Sequence, residues 1–191
     1  MYKAPRIALF AASLFVLVFG TISCSSDGGL GGELAPNPAP CPNILVLSEA
    51  GRMVEFDGEQ SLENIAYSAE ITDVSIACRY FDDKPITGSL EVEFALGKGP
   101  KGASNQKDYT FFVAVTRRDL EVIGKREFKV RGSFNKSRNT VLVKEKINKF
   151  IIPRASDKTS GSNFEVVVGL ALTRDQVLYN RSGKSLKFPN L

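Results

Sequence analysis

From Asn43 onward the chain alternates short apolar stretches with turn residues. Ser89–Leu96 alternates most cleanly, with Leu90, Val92, Phe94 and Leu96 on one side and Glu91 and Glu93 on the other. That period of two predicts a half-buried strand. Asn43–Leu47 predicts an opening strand through Ile44, Leu45, Val46 and Leu47, and Met53–Phe56 a short one stopped by the turn dipeptide Asp57-Gly58. Glu70–Tyr80 places Val74, Ile76, Cys78 and Tyr80 on one face. Ile71 falls out of that phase, which predicts a bulge near Thr72-Asp73. Tyr109–Val115 is apolar on both parities, as a central strand is. Glu121–Arg131 and Thr140–Ile147 follow, then Phe164–Leu172 with Phe164, Val166, Val168, Leu170 and Leu172 on one face.

A single helix is signalled. Thr173 stands at its N-cap, Asp175 in its first turn, and Arg181 and Gly183 at its end. About seven to nine short strands without βαβ alternation predict an all-β fold. The expected architecture over residues 43–191 is an antiparallel β-sandwich, immunoglobulin- or fibronectin-like, with one short C-terminal helix. The chain has no Trp, so it lacks the buried indole of antibody domains.

The N-terminal stretch follows a different pattern. Lys3 and Arg6 precede the apolar run Ile7–Phe19, small and polar residues follow as far as Cys24, and no acid occurs in the first 23 residues. Basic, apolar and small segments in that order predict a secretory signal peptide over residues 1–23. The run falls short of the about 20 apolar residues a spanning helix needs. Its close, Thr21-Ile22-Ser23-Cys24, resembles the lipobox of bacterial lipoproteins, with Thr21 where that family prefers Leu. The resemblance implies cleavage before Cys24 and a diacylglycerol on its sulfur, so that the membrane is a partner through the lipid. Ser25, where Asp would favour retention in the inner membrane, implies the outer membrane, facing the periplasm. Residues 24–42, rich in Gly, Ser and Pro, read as a tether. Random-coil scaling gives it a reach of roughly 20–25 Å.

Cysteine parity agrees with that reading. Of three cysteines, a lipidated Cys24 leaves Cys41 and Cys78 as an even pair in an oxidising compartment, where they are expected to bond. An antiparallel pairing of their strands would bring the two sulfurs into register. The formal net charge of +4 includes Lys3 and Arg6 of the signal peptide, so the basic balance does not point to nucleic acid. Histidine is absent, which removes the usual general base, metal ligand and pH switch.

The charges are unevenly placed. Residues 43–97 hold Arg52, Arg79 and Lys84 against eleven acids, whereas residues 117–149 hold eleven basic residues against Asp119, Glu121, Glu127 and Glu145. Lys125, Lys129 and Arg131 share one strand parity and Lys144 and Lys146 another. One reading gathers these five into an outward basic face beside the loop Gly97–Lys107, meeting an anionic envelope polymer or an acidic protein. The other has the two halves compensate each other across neighbouring strands.

Other motifs are weaker. Ser182-Gly183-Lys184-Ser185 lacks the earlier Gly of a phosphate-binding loop and follows the helix instead of opening one. Asp82-Asp83 has too few acids nearby for calcium. The sequons at Asn135 and Asn180 carry no weight in an exported bacterial protein. No strained turn singles out one serine for a Ser–Lys pair. No cofactor or metal is expected.

The strings CPNILVLSEA, TFFVAVTRR, KREFKV and VGLALTRDQVLYNR resemble an uncharacterised family of alphaproteobacterial lipoproteins, over nearly all of residues 41–181. That resemblance implies a lipid-anchored envelope domain and carries over no functional residue except Cys24. The expectation is a non-catalytic binding or structural module. The alternative is an envelope-acting hydrolase or transferase with a non-histidine active site.

Overall fold

The structure is a computed structural model that describes residues 40–185. The signal-peptide segment, Cys24 and residues 25–39 of the tether lie outside the described residues. Among the described residues eight strands form: β1 (Asn43–Val46), β2 (Arg52–Phe56), β3 (Ile65–Arg79), β4 (Ile86–Lys98), β5 (Gln106–Arg117), β6 (Val122–Ser133), β7 (Thr140–Ile152) and β8 (Phe164–Leu170). A helix α1 (Arg174–Arg181) follows them. The strands make two four-stranded sheets, ordered β1-β8-β5-β6 and β2-β3-β4-β7. Every pairing is antiparallel except that of β1 with β8, which is parallel. The fold is the expected all-β sandwich with a short C-terminal helix.

Alternation builds the core. Leu90, Val92, Phe94 and Leu96 of β4 are buried at 1% exposure or less, and each such side chain contributes roughly 1.5–3 kcal/mol on burial. Phe94 meets Phe111 of β5 with ring centroids 5.0 Å apart, and Phe111 stacks on Phe128 of β6 at 5.5 Å. This aromatic row joins the inner faces of the two sheets. The bulge in β3 falls between Ile71 and Asp73, where the phase slip predicts it. It lets Ile71 stay buried while Val74, Ile76 and Cys78 continue on the inner side.

Cys41 and Cys78 form a disulfide with Cα atoms 5.7 Å apart. This is the expected bond, but the strands beside it do not pair with each other: β1 pairs with β8, and β3 with β2 and β4. The bond therefore crosses between the sheets. Cys78 shares the inward parity of Val74 and Ile76, so its sulfur faces the opposite sheet, where Cys41 leads into β1. Beside the disulfide, the Tyr80 hydroxyl donates to the Pro40 carbonyl (2.9 Å) and accepts from the Gly161 amide (3.0 Å). Only glycine fits at 161, because a Cβ there would lie 2.4 Å from the Pro40 carbonyl oxygen.

Helix α1 starts as its sequence signals predict. Thr173 Oγ1 accepts from the Gln176 amide (3.3 Å), and Gln176 Oε1 accepts from the Thr173 amide (2.9 Å), forming a capping box. Asn180 Nδ2 donates to the carbonyls of Glu49 (2.8 Å) and Arg52 (2.7 Å), and Tyr179 meets Phe56 edge-on at 5.3 Å. The helix is thereby clamped on the start of β2.

Candidate functional site

The two strands that carry the five singled-out cations are both sheet edges, β6 in one sheet and β7 in the other. On β6, Phe128 and Val130 point into the core and Lys125, Lys129 and Arg131 outward. On β7, Val141, Val143 and Ile147 point inward and Lys144 and Lys146 outward. All five are exposed. Outward nevertheless means opposite directions for the two strands, because each sheet turns its own back to solvent. The single basic face is therefore not formed. Parity along a strand places a side chain inside or outside, and sheet membership decides which outside.

Compensation between neighbouring strands is what the geometry displays. Lys144 stands in register with Glu93 of β4 and pairs with it, and lies 3.5 Å from Glu91. Arg131 makes a two-point contact with Asp108 of β5, at 2.6 and 2.9 Å. The Arg131 hydrogen bonds hold the Asp108 carboxyl below its ordinary value, and the hydrogen bond to Glu93 raises the Lys144 ammonium above its own. Lys125 pairs with Glu127 (3.3 Å) and lies over the Phe112 ring at 4.8 Å. Lys107, at the end of the Gly97–Lys107 loop, meets Glu55 at 2.6 Å. Lys146 stands opposite Glu91 and Lys129 opposite Thr110. Charge on exposed edges also discourages pairing with further strands.

The weaker motifs take structural positions. Asp82 sits at φ 45° in the turn before β4, and its carbonyl accepts from Arg154. Ser182 caps the C-terminus of α1, Gly183 follows at φ 76°, and Ser185 Oγ accepts from Arg52 at 3.4 Å. Asn180 is the clamp described above. Among the described residues no serine hydroxyl is hydrogen-bonded to a lysine, and no group of three acids or cysteines is placed to hold a metal. Arg154 escapes a reading by periodicity because it lies in an irregular polar stretch. Its guanidinium donates to the carbonyls of Lys84 (2.7 Å) and Thr159 (3.0 Å) and covers the Tyr80 ring at 4.8 Å. It organises the end of the sandwich that carries the disulfide.

One concave feature carries no signal in the pattern of strands. No ladder joins β6 to β7, and between them a cavity of about 470 Å³ opens into the space between the sheets. Val113, Phe128, Ile147 and Phe150 wall it, and the buried Leu90 and Val166 lie at its base. Gly124 of β6 lines it too, and a Cβ there would meet nothing within 4 Å. Arg126 and Lys149 stand exposed along its border.

No protein-family model matches the chain, and no curated protein matches it. Among solved structures, the Streptococcus agalactiae AgI/II polypeptide BspA variable (V) domain is similar at 14% identity, over 60% of this chain and 70% of that one, with a TM-score of 0.18. A likeness of that size transfers no property. Among the described residues no helix is long and apolar enough to cross a membrane.

Proposed function

We propose that this chain is a lipid-anchored lipoprotein of the bacterial cell envelope whose β-sandwich acts as a non-catalytic binding or structural module. The observation that carries the reading is the bond between Cys41 and Cys78. It accounts for two of three cysteines and leaves Cys24 as the odd one, at the end of the basic, apolar and small segments. A disulfide belongs to an oxidising compartment, and the segment before Cys24 is the signal that delivers a chain there. A diacylglycerol with a further acyl chain on Cys24 supplies the two signals that stable anchoring requires. The tether then carries the domain clear of the head groups, in the outer membrane facing the periplasm. The disulfide and the Tyr80–Pro40 hydrogen bond fasten the domain where the tether arrives.

The test is fractionation of cells expressing the wild-type chain and Cys24→Ala under labelled palmitate. The wild type is expected in the membrane fraction with label. The variant is expected without label, and its continued labelling would overturn the reading.

A further inference from the structure

The cavity between β6 and β7 is lined mainly by apolar side chains. Its walls come from both sheets, Val113 and Phe128 from one and Ile147 and Phe150 from the other, and its base is core. A volume of about 470 Å³ lies within the roughly 300–1,000 Å³ of small-molecule sites. A gap of this kind would ordinarily be closed by a larger side chain. At Gly124 the chain leaves it open: the glycine has no positive φ to require it and no neighbour that a Cβ would strike. Ile151, also on the lining, is 55% exposed, so apolar surface continues to the mouth.

The charge at the mouth has one sign. Arg126 on β6 and Lys149 on β7 flank it from opposite sheets, and among the described residues neither has an ion-pair partner. Among the described residues no acid lines the cavity. Glu145 lies one inward position beyond Ile147, outside the lining, and Glu127 is taken by Lys125. On the same edges Arg131 and Lys144 are matched to carboxylates on neighbouring strands and Lys125 to Glu127 of its own strand. What distinguishes Arg126 and Lys149 is that both line the cavity.

An apolar interior with a cationic border is complementary to one class of small molecule. We propose that the cavity binds a single-chain amphiphile with an anionic head group, its hydrocarbon between Phe128 and Phe150 and its head between Arg126 and Lys149. Hydrocarbon entering the cavity is removed from water, and the head group gains charge-assisted hydrogen bonds. This goes beyond the anchoring reading and does not depend on it.

The test uses the purified full chain and two photoreactive probes, diazirine-bearing dodecanoic acid and the matching dodecanol. Labelled peptides are identified by mass spectrometry. The acid is expected to label the Phe128 segment and the Ile147–Ile151 segment, and the alcohol to do so more weakly. Gly124→Phe fills the cavity without touching the backbone of the core and is expected to abolish labelling of both segments, with an unchanged melting temperature. Arg126→Glu combined with Lys149→Glu is expected to lower labelling by the acid about tenfold and to leave the alcohol unaffected. Equal labelling by acid and alcohol, or labelling that survives Gly124→Phe in a folded protein, would overturn the proposal. So would a dimer in the wild type that Gly124→Phe dissociates, since a second copy would then cover the cavity.

Discussion

Cys41 and Cys78 are bonded across the two sheets, with Cα atoms 5.7 Å apart and a separation of 37 positions in sequence. The sandwich is held there by a covalent link at the end where the chain enters it. Closing a loop of that length constrains the unfolded chain by about 4 kcal/mol in the entropic treatment. Cys78→Ala is therefore expected to lose about that much stability in urea unfolding, and reducing agent to produce the same loss in the wild type. A wild-type midpoint insensitive to reductant would show the bond to be absent.

Lys144 and Lys129 separate charge compensation from binding. Lys144→Glu places a third acid beside Glu91 and Glu93 and is expected to lower the melting temperature. Lys129→Glu, opposite Thr110, is expected to lower it much less. Because the two lysines leave opposite backs of the sandwich, retention on anionic envelope polymer at low salt is expected to be unchanged in either variant. Paired loss of retention in both would restore the single basic face.

Asp108 ionises below its ordinary value because it accepts hydrogen bonds from Arg131. A carboxylate whose folded value is depressed contributes stability that is present above its unfolded value and fades as pH falls through the folded one. Wild type is thus expected to exceed Arg131→Gln in melting temperature at neutral pH, with the gap closing as the solution is acidified through the carboxylate range. The Asp108 carboxyl carbon, followed by NMR, should titrate lower in the wild type than in the variant. Identical titrations would remove the contact.

Asn180 fastens α1 through two backbone carbonyls, those of Glu49 and Arg52. Asn180→Ala leaves both without that donor and is expected to cost about 1–3 kcal/mol. Protection of α1 amides from hydrogen exchange should fall further than that of β4, since the helix can detach while the core stays closed. Uniform loss across the domain would mean that helix and sandwich unfold as one unit.

Local signals in the sequence were legible to the residue. The out-of-phase Ile71 marked the bulge, and Thr173 with Gly183 marked both ends of α1. Leu90 through Leu96 marked the inner face of β4. What periodicity could not supply was sheet membership. It put Lys129 and Lys144 in solvent correctly, but whether they share a side depends on β6 pairing with β5 and β7 with β4, and those are long-range choices. The Cys41–Cys78 bond was legible from cysteine parity, but that it runs across the sheets and not along a ladder was hidden for the same reason. The cavity was illegible for a related reason: Gly124 looks like an interruption in a strand until β7 is seen opposite it without a ladder. Arg154 carried no signal, because its partners are carbonyls in distant turns.

The most direct measurement is the intact mass of the chain extracted from membranes of the expressing cell. Anchoring at Cys24 predicts a polypeptide that begins at Cys24 and carries the added mass of a diacylglycerol with a further acyl chain. In the same sample, non-reducing peptide mapping should recover Cys41 joined to Cys78. A mature chain with an unmodified Cys24 thiol, or one that keeps Met1 and the apolar run, would contradict the lipoprotein reading.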